Sequence, residues 1–235
     1  MKNSFIKLCL LFVGIISFSS CLKDNDGYGN DYPSNIALMT FVNAFPEATG
    51  LNFDLNGNQP PFGLEYKKVL MPYNGVYPGK RQLEIFSINQ NKTFIDTLIN
   101  VEAGKGYTAF VFGTQKSPKF AMTQDTVIKD FDAEKSAFRF LNFGNNTSAI
   151  SIFIEGEEDP IFSNRSMDSG TSAVQNQRFT AHTSGTYTLV AKDSEGTILV
   201  KRENFNFEKG RYYTIMLSGT KDHAQTPLYL GVVQH

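Results

Sequence analysis

Apolar and polar residues alternate in short runs along most of this chain, the period-two pattern of strands with one buried face. Leu51, Phe53 and Leu55 alternate ahead of Asn56-Gly57, a two-residue hairpin signal because both residues tolerate positive φ. Ile150, Ile152 and Ile154 alternate ahead of Gly156, and Tyr187, Leu189 and Ala191 ahead of the turn Asp193-Ser194-Glu195-Gly196. Tyr107 to Phe112 and Tyr212 to Leu217 are aromatic and β-branched runs opened by glycine. Past residue 21 no segment keeps a helical period over three turns, and only Asp132 to Ala137 suits a single helical turn.

The pattern also repeats. Phe41-Val42-Asn43 corresponds to Phe140-Leu141-Asn142, and Asp54-Leu55-Asn56-Gly57 to Phe153-Ile154-Glu155-Gly156, both at an offset of 99. Pro78-Gly79 meets Ser184-Gly185, Gly104 to Thr108 meets Gly210 to Thr214, and Gly113-Thr114 meets Gly219-Thr220, all at an offset of 106. A constant shift on each side of one seven-residue insertion predicts two copies of one module, at residues 35–130 and 136–235. About seven strands per copy of ~100 residues predict an all-β fold of two tandem, antiparallel, immunoglobulin-like β-sandwiches.

The first twenty residues break this pattern and read as a targeting segment. Lys2 and Lys7 precede an apolar run from Leu8 to Phe18, too short for the ~20 residues a bilayer core requires. Phe18-Ser19-Ser20-Cys21 resembles a bacterial lipobox, which implies cleavage before Cys21 and a lipid thioether on that cysteine. Leu22-Lys23-Asp24-Asn25-Asp26 is similar to the Lys/Asp export signal of Gram-negative surface lipoproteins, with Lys23, Asp24 and Asp26 carrying the likeness. That likeness implies an outer-membrane, cell-surface location. Residues 21–34 are rich in Asn, Asp, Gly, Tyr and Pro and are expected to form a flexible tether.

Composition agrees with an exported chain. Cys9 would leave with the leader and Cys21 would carry lipid, so the processed chain keeps no thiol and depends on packing. The net charge is −1, more negative still without Lys2 and Lys7, and no basic run argues for a nucleic-acid partner.

Phe41 to Asn43, Asn56-Gly57, Tyr77-Pro78-Gly79 and Gly106-Tyr107-Thr108 together resemble a bacterial family known as domain of unknown function, family 4397. The likeness covers nearly all of the chain beyond the leader, and the second copy departs from it at Glu155-Gly156 and Thr183-Ser184-Gly185. It implies a β-sandwich fold, often in tandem behind a lipobox, and supplies no catalytic residue.

Candidate chemistry is sparse. Asp168-Ser169-Gly170-Thr171 matches the aspartic-protease tetrapeptide, but that mechanism needs a second Asp in a matching setting and the first copy offers none. No Gly-x-Ser-x-Gly elbow follows the leader, and His182, His223 and His235 are not at metal-ligand spacing. Glu155-Gly156-Glu157-Glu158-Asp159 clusters acids without the order of a calcium loop. We therefore expect no catalytic residue, no metal and no cofactor. Aromatic residues are the better lead, since the chain has 21 Phe and 10 Tyr and sugar rings stack on flat apolar faces. Tyr66, Tyr73 and Tyr77, in an irregular Pro-containing stretch, are the candidate ligand contacts. Asp96-Thr97-Leu98 and Asp125-Thr126-Val127 resemble O-glycosylation sites of exported Gram-negative proteins, which implies modification at Thr97 or Thr126. The resulting expectation is a surface lipoprotein held to a membrane by lipid, with a binding, adhesion or envelope role. A glycan-binding accessory role in nutrient uptake is the alternative.

Overall fold

The alternating segments assemble into four sheets in the computed structural model, which describes residues 35–47, 50–60 and 62–235. The leader, Cys21 and the segment carrying Lys23, Asp24 and Asp26 lie outside the described residues. In the first half, β1 (Ala37–Asn43), β3 (Asn74–Val76), β6 (Gly106–Thr114) and β7 (Ser117–Gln124) form one sheet in the order β3-β1-β6-β7. Strands β2 (Asn52–Leu55), β4 (Gly79–Ser87) and β5 (Lys92–Val101) form the facing sheet, in the order β2-β4-β5. In the second half, β8 (Lys135–Asn142), β11 (Thr180–Thr183), β14 (Tyr212–Ser218) and β15 (Tyr229–Gln234) are ordered β11-β8-β14-β15. Their facing sheet is β10-β9-β12-β13, from β9 (Ile150–Ile154), β10 (Phe162–Arg165), β12 (Gly185–Lys192) and β13 (Ile198–Phe207). The protein is thus an all-β molecule of sandwiched sheets.

Several strand pairings of the first half have a like pairing in the second. Phe53 faces Ile85 as Ile152 faces Ala191, and Gly79 faces Val101 as Gly185 faces Phe207. Phe41 faces Ala109 as Phe140 faces Ile215. These last two pairings are parallel, which corrects the antiparallel expectation for one strand pair in each sandwich. Parallel neighbours need a crossover, and here the chain supplies it by visiting the facing sheet between β1 and β6 and between β8 and β14.

The two sandwiches stack through their β1-β6 and β8-β14 sheets, giving four layers and three cores. Successive side chains of β6 point to opposite faces. Tyr107, Ala109 and Val111 enter the first sandwich core, whereas Phe110 and Phe112 join Leu141, Phe143 and Met216 of the second half in a shared core. Strand β14 divides in the same way, with Tyr213, Ile215 and Leu217 inward and Met216 toward the shared core. Burial on both faces explains why apolar residues fall at consecutive positions in these strands, while β4, with one wet face, alternates.

Helix formation differs from expectation. Asp132 to Ala137 contains a turn and the start of β8, because Phe138 and Phe140 are needed in a core at strand spacing. The helix, α1 (Gly170–Gln175), lies instead where the Asp168-Ser169-Gly170-Thr171 stretch suggests a loop. Ser169 caps it by accepting from the Ser172 amide, Ser172 returns a bond to the Ser169 amide, and Ala173 is buried in the shared core. Gly170 permits close approach to β7, since a Cβ there would lie 3.0 Å from the Phe120 carbonyl oxygen.

Candidate functional site

A cavity of about 670 Å³ opens in the first sandwich, on the side where β2 and β3 are the outermost strands of their sheets. Local sequence creates it. Asn56 and Gly57 adopt positive φ as the hairpin pattern predicts, and Asn58 exchanges backbone bonds with Leu55. Farther along, Leu64 exchanges bonds of 2.9 and 2.7 Å with Leu51. Between these ties the returning segment carries Pro60, which has no N–H for a ladder, and among the described residues no strand covers the edge of β2 away from β4. The second sandwich does place a strand beside the corresponding β9: β10 pairs Phe162 with Ile152, and the buried Phe162 ring lies 6.0 Å from Phe140. Phe41, the counterpart of Phe140, instead lines the cavity floor with Phe53 and Leu70.

Three large apolar side chains stand at the wall and remain in water: Phe62 is 57% exposed, Met71 51% and Tyr77 76%. Other large exposed apolar residues, such as Ile88, Leu98 and Ile198, are far apart in sequence and line no part of it. The polar lining is Asn56, Asn58, Gln59, Asn74 and Arg81. Arg81 donates from Nε to the Tyr77 carbonyl at 2.8 Å and from Nη2 to the Pro78 carbonyl at 2.7 Å. These bonds hold the corner that carries Tyr77.

Of the three tyrosines singled out from sequence, only Tyr77 reaches this cavity. Tyr66 is half-buried, with its hydroxyl 3.0 Å from Ser218 Oγ across the two halves and its pKa raised by burial. Tyr73 belongs to a closed hydrogen-bond ring at the junction. Its hydroxyl donates to Asp125 Oδ2 at 2.8 Å, and Asp125 Oδ1 accepts from Arg139 Nη2 at 2.6 Å. Arg139 Nε donates to Thr214 Oγ1 at 2.7 Å, and His235 bridges Thr214 to Tyr73 with contacts of 2.7 and 2.6 Å. The ring closes with one proton per link when His235 is neutral and protonated on Nδ1. Burial pushes the His235 pKa down to about 4, with Asp125 opposing that shift and Arg139 reinforcing it. Burial also opposes ionisation of Asp125, but Arg139, His235 and the bonds from Thr108 and Tyr73 hold its carboxyl below the usual range.

The remaining candidates are dispersed. Thr97 is half-buried on β5; Thr126 is exposed, but the Asp125 beside it is the buried partner of Arg139. Asp168 is buried: Oδ2 accepts from the Asn142 amide at 2.8 Å, and Oδ1 from Ser172 Oγ and Asn176 Nδ2 at 2.8 and 2.9 Å. That carboxylate anchors α1 to β8. His182 stacks on Phe138 with centroids 4.7 Å apart, and burial lowers its pKa. His223 bonds Thr226 within a turn. Glu155, Glu157, Glu158 and Asp159 are exposed, and among the described residues no three His, Cys, Asp or Glu side chains are grouped to hold a metal ion.

Sequence reasoning missed Phe62, Met71 and the amide rim. The usable signal was Asn58-Gln59-Pro60, where an amide-rich segment meets a residue that cannot continue a ladder.

Among solved structures, the chain is similar to the family 26 carbohydrate-binding module from Eubacterium rectale Amy13K, in a complex with maltoheptaose. The two share 11% identity over 82% of this chain and 96% of that one, with a TM-score of 0.25. It is also similar to the tip fimbrial protein Mfa3 from Porphyromonas gingivalis, at 8% identity over 85% and 99% of the chains and a TM-score of 0.25. No curated protein matches the chain significantly. Residues 37–153, from the start of β1 to within β9, match the family model described as domain of unknown function (DUF4397), and the chain belongs to that family.

Proposed function

We propose that this is a non-catalytic binding protein whose contact site is the first-sandwich cavity, displayed on the outer membrane through lipid on Cys21. The observation that carries the reading is the cavity itself, with Phe62, Met71 and Tyr77 left in water at a built opening that has polar groups on its rim. Exposed apolar side chains gathered around a concavity are what a ligand covers. Non-catalysis is supported by Asp168 and Asp125, whose carboxylates are committed to structural partners.

The anchor, the Lys23, Asp24 and Asp26 export signal and the tandem-module organisation at residues 35–130 and 136–235 complete the reading. Two stacked sandwiches behind a tether would carry the cavity away from the membrane. An adhesion or envelope role and a glycan-uptake role both use that display.

Saturation-transfer NMR of the full chain against a mixed set of small sugars, amino acids, short peptides and fatty acids tests the site. We expect hits for the wild type that vanish in Asn74→Trp, which fills the mouth from an exposed position. Silence of the whole set, or hits unchanged by that variant, overturns the assignment. For display, Cys21→Ala should abolish membrane retention, and retention at the wild-type level would overturn the lipid anchor.

A further inference from the structure

We infer that the first-sandwich cavity takes a neutral carbohydrate, with a sugar ring stacked on Tyr77 and its hydroxyls met by the amide rim; this rests on the binding reading above. The lining decides the class. It contains no carboxylate and no amine, and its one cation, Arg81, spends Nε and Nη2 on backbone carbonyls. An anionic ligand would therefore meet the Arg81 charge with its Nε and Nη2 fork already directed at neutral carbonyls, which denies it a bidentate grip, and a cationic one would find no counter-ion.

The polar groups left are amides. Each side-chain amide offers donors and an acceptor together, matching sugar hydroxyls, which also donate and accept. Gln59 Oε1 is held by Asn52 Nδ2 at 3.2 Å, while its Nε2 has no partner among the described residues. Asn56 Oδ1 accepts from the Gln82 amide at 2.7 Å, which fixes the exposed side chain through its oxygen and leaves the Nδ2 group as the donor. Asn74 Nδ2 reaches the Pro72 carbonyl at 3.3 Å, leaving Oδ1 as an acceptor.

Stacking supplies the apolar half. The negative ring faces of Tyr77 and Phe62 attract the polarised C–H groups on the flat side of a pyranose. The backbone under Tyr77 is preset for this, because Arg81 pins its carbonyl and the one after it, which leaves the exposed side chain as the part to be ordered on binding. Two other occupants fit less well. A partner strand would need free backbone groups along β2, but Leu51 and Leu55 are already tied to Leu64 and Asn58. A fatty chain would desolvate the amides of Asn56, Asn58, Gln59 and Asn74 without replacing their bonds.

The test is calorimetric titration of the full chain with neutral hexasaccharides of glucose, mannose and xylose, with polygalacturonate, and with an extended Val-Thr heptapeptide, while the Tyr77 ring resonances are followed by NMR. At least one neutral glycan is expected to bind and shift Tyr77, Tyr77→Ala to weaken it tenfold or more, and Asn74→Trp to abolish it. Both positions are exposed, so unchanged melting points will confirm that these variants fold. Binding of the polyuronate or the peptide in an Asn74-sensitive way, with every neutral glycan inert, overturns the carbohydrate assignment and keeps the cavity as a binding site. Failure of every probe, with Tyr77 unmoved, overturns both.

Discussion

Arg139 sits in the middle of a strand, fully buried, at the position that corresponds to Thr40 in the first half. Strand alternation explains the setting, since Arg139 shares with Leu141 the face of β8 that turns toward the other sandwich. Its guanidinium meets Asp125 at 2.6 Å and lies 4.4 Å over the Phe179 ring. Such a pair adds little net stability, yet breaking it strands a buried charge at about 3–5 kcal/mol. We expect Arg139→Met to cost that much in urea unfolding, and the double variant with Asp125→Leu to recover most of it. An additive double variant would show that the two charges are uncoupled. The same ring predicts acid sensitivity. His235 takes its proton near pH 4 when folded and near 6.5 when unfolded, so the unfolded chain binds more protons between those values and stability falls as pH drops through that window. Asp125, with a folded pKa below 3.8, contributes stability that is present above 3.8 and lost as pH falls further through the folded value. Melting points from pH 8 to 3 should show both losses, and His235→Gln should flatten the first while leaving the second. From sequence, Asp125 reads only as half of an Asp-Thr motif, because nothing local announces a partner on the other sandwich.

At the scale of elements, local chemistry was legible wherever it was self-sufficient. Asn56-Gly57 turns as its residues demand, and Asp193 receives the Glu195 and Thr197 amides at 3.1 and 2.9 Å in the turn between β12 and β13. Elements that depend on distant partners were not legible. Helix α1 is one turn and a half long, far too short to persist alone, so its 3.6 period leaves no usable trace in the sequence. It exists because Ser169 caps it, Asp168 ties it to β8 and Ala173 has a core to enter. Ser169→Ala should therefore cost about 1 kcal/mol, the ordinary worth of an N-cap. Asp168→Ala should cost more, because the buried Asn142 amide would lose its acceptor, adding about 1–3 kcal/mol. Denaturant titrations of the two variants check the order, and an Asp168→Ala variant as stable as Ser169→Ala would remove the anchoring role. The cavity is the converse case. Its floor follows from the strand pattern, but its opening depends on a segment that fails to pair, and pairing failure is visible only against the second sandwich, where β10 succeeds.

The repeated sequence pattern leads one to expect two separable modules, but the stacking of four sheets makes the halves depend on each other. The clue was present in the consecutive apolar residues Ala109 to Phe112 of β6 and Ile215 to Leu217 of β14: a strand with one wet face alternates, and these do not. Phe143 is the centre of the junction, fully buried, with its ring stacked 4.2 Å from Phe112 and tilted 5.2 Å from Phe110 of the other half. Polar ties surround it: Asn145 Nδ2 donates to the Gly113 carbonyl at 3.2 Å, the Gln124 amide to Gln177 Oε1 at 2.6 Å, and Lys67 lies 4.4 Å over the Tyr229 ring. Unfolding either sandwich alone would expose the aromatic face of the other and open the Arg139 ring. The two halves should consequently unfold in one transition, with circular dichroism and tyrosine fluorescence tracing the same curve and a denaturant slope suited to the whole chain. Phe143→Ala should lower that shared transition by about 3–5 kcal/mol while keeping it single, since the cavity it leaves weakens both halves equally. Two resolved transitions in the wild type, or a Phe143→Ala loss confined to one half by hydrogen exchange, would mean that the sandwiches are stable apart and that the shared core only orients them.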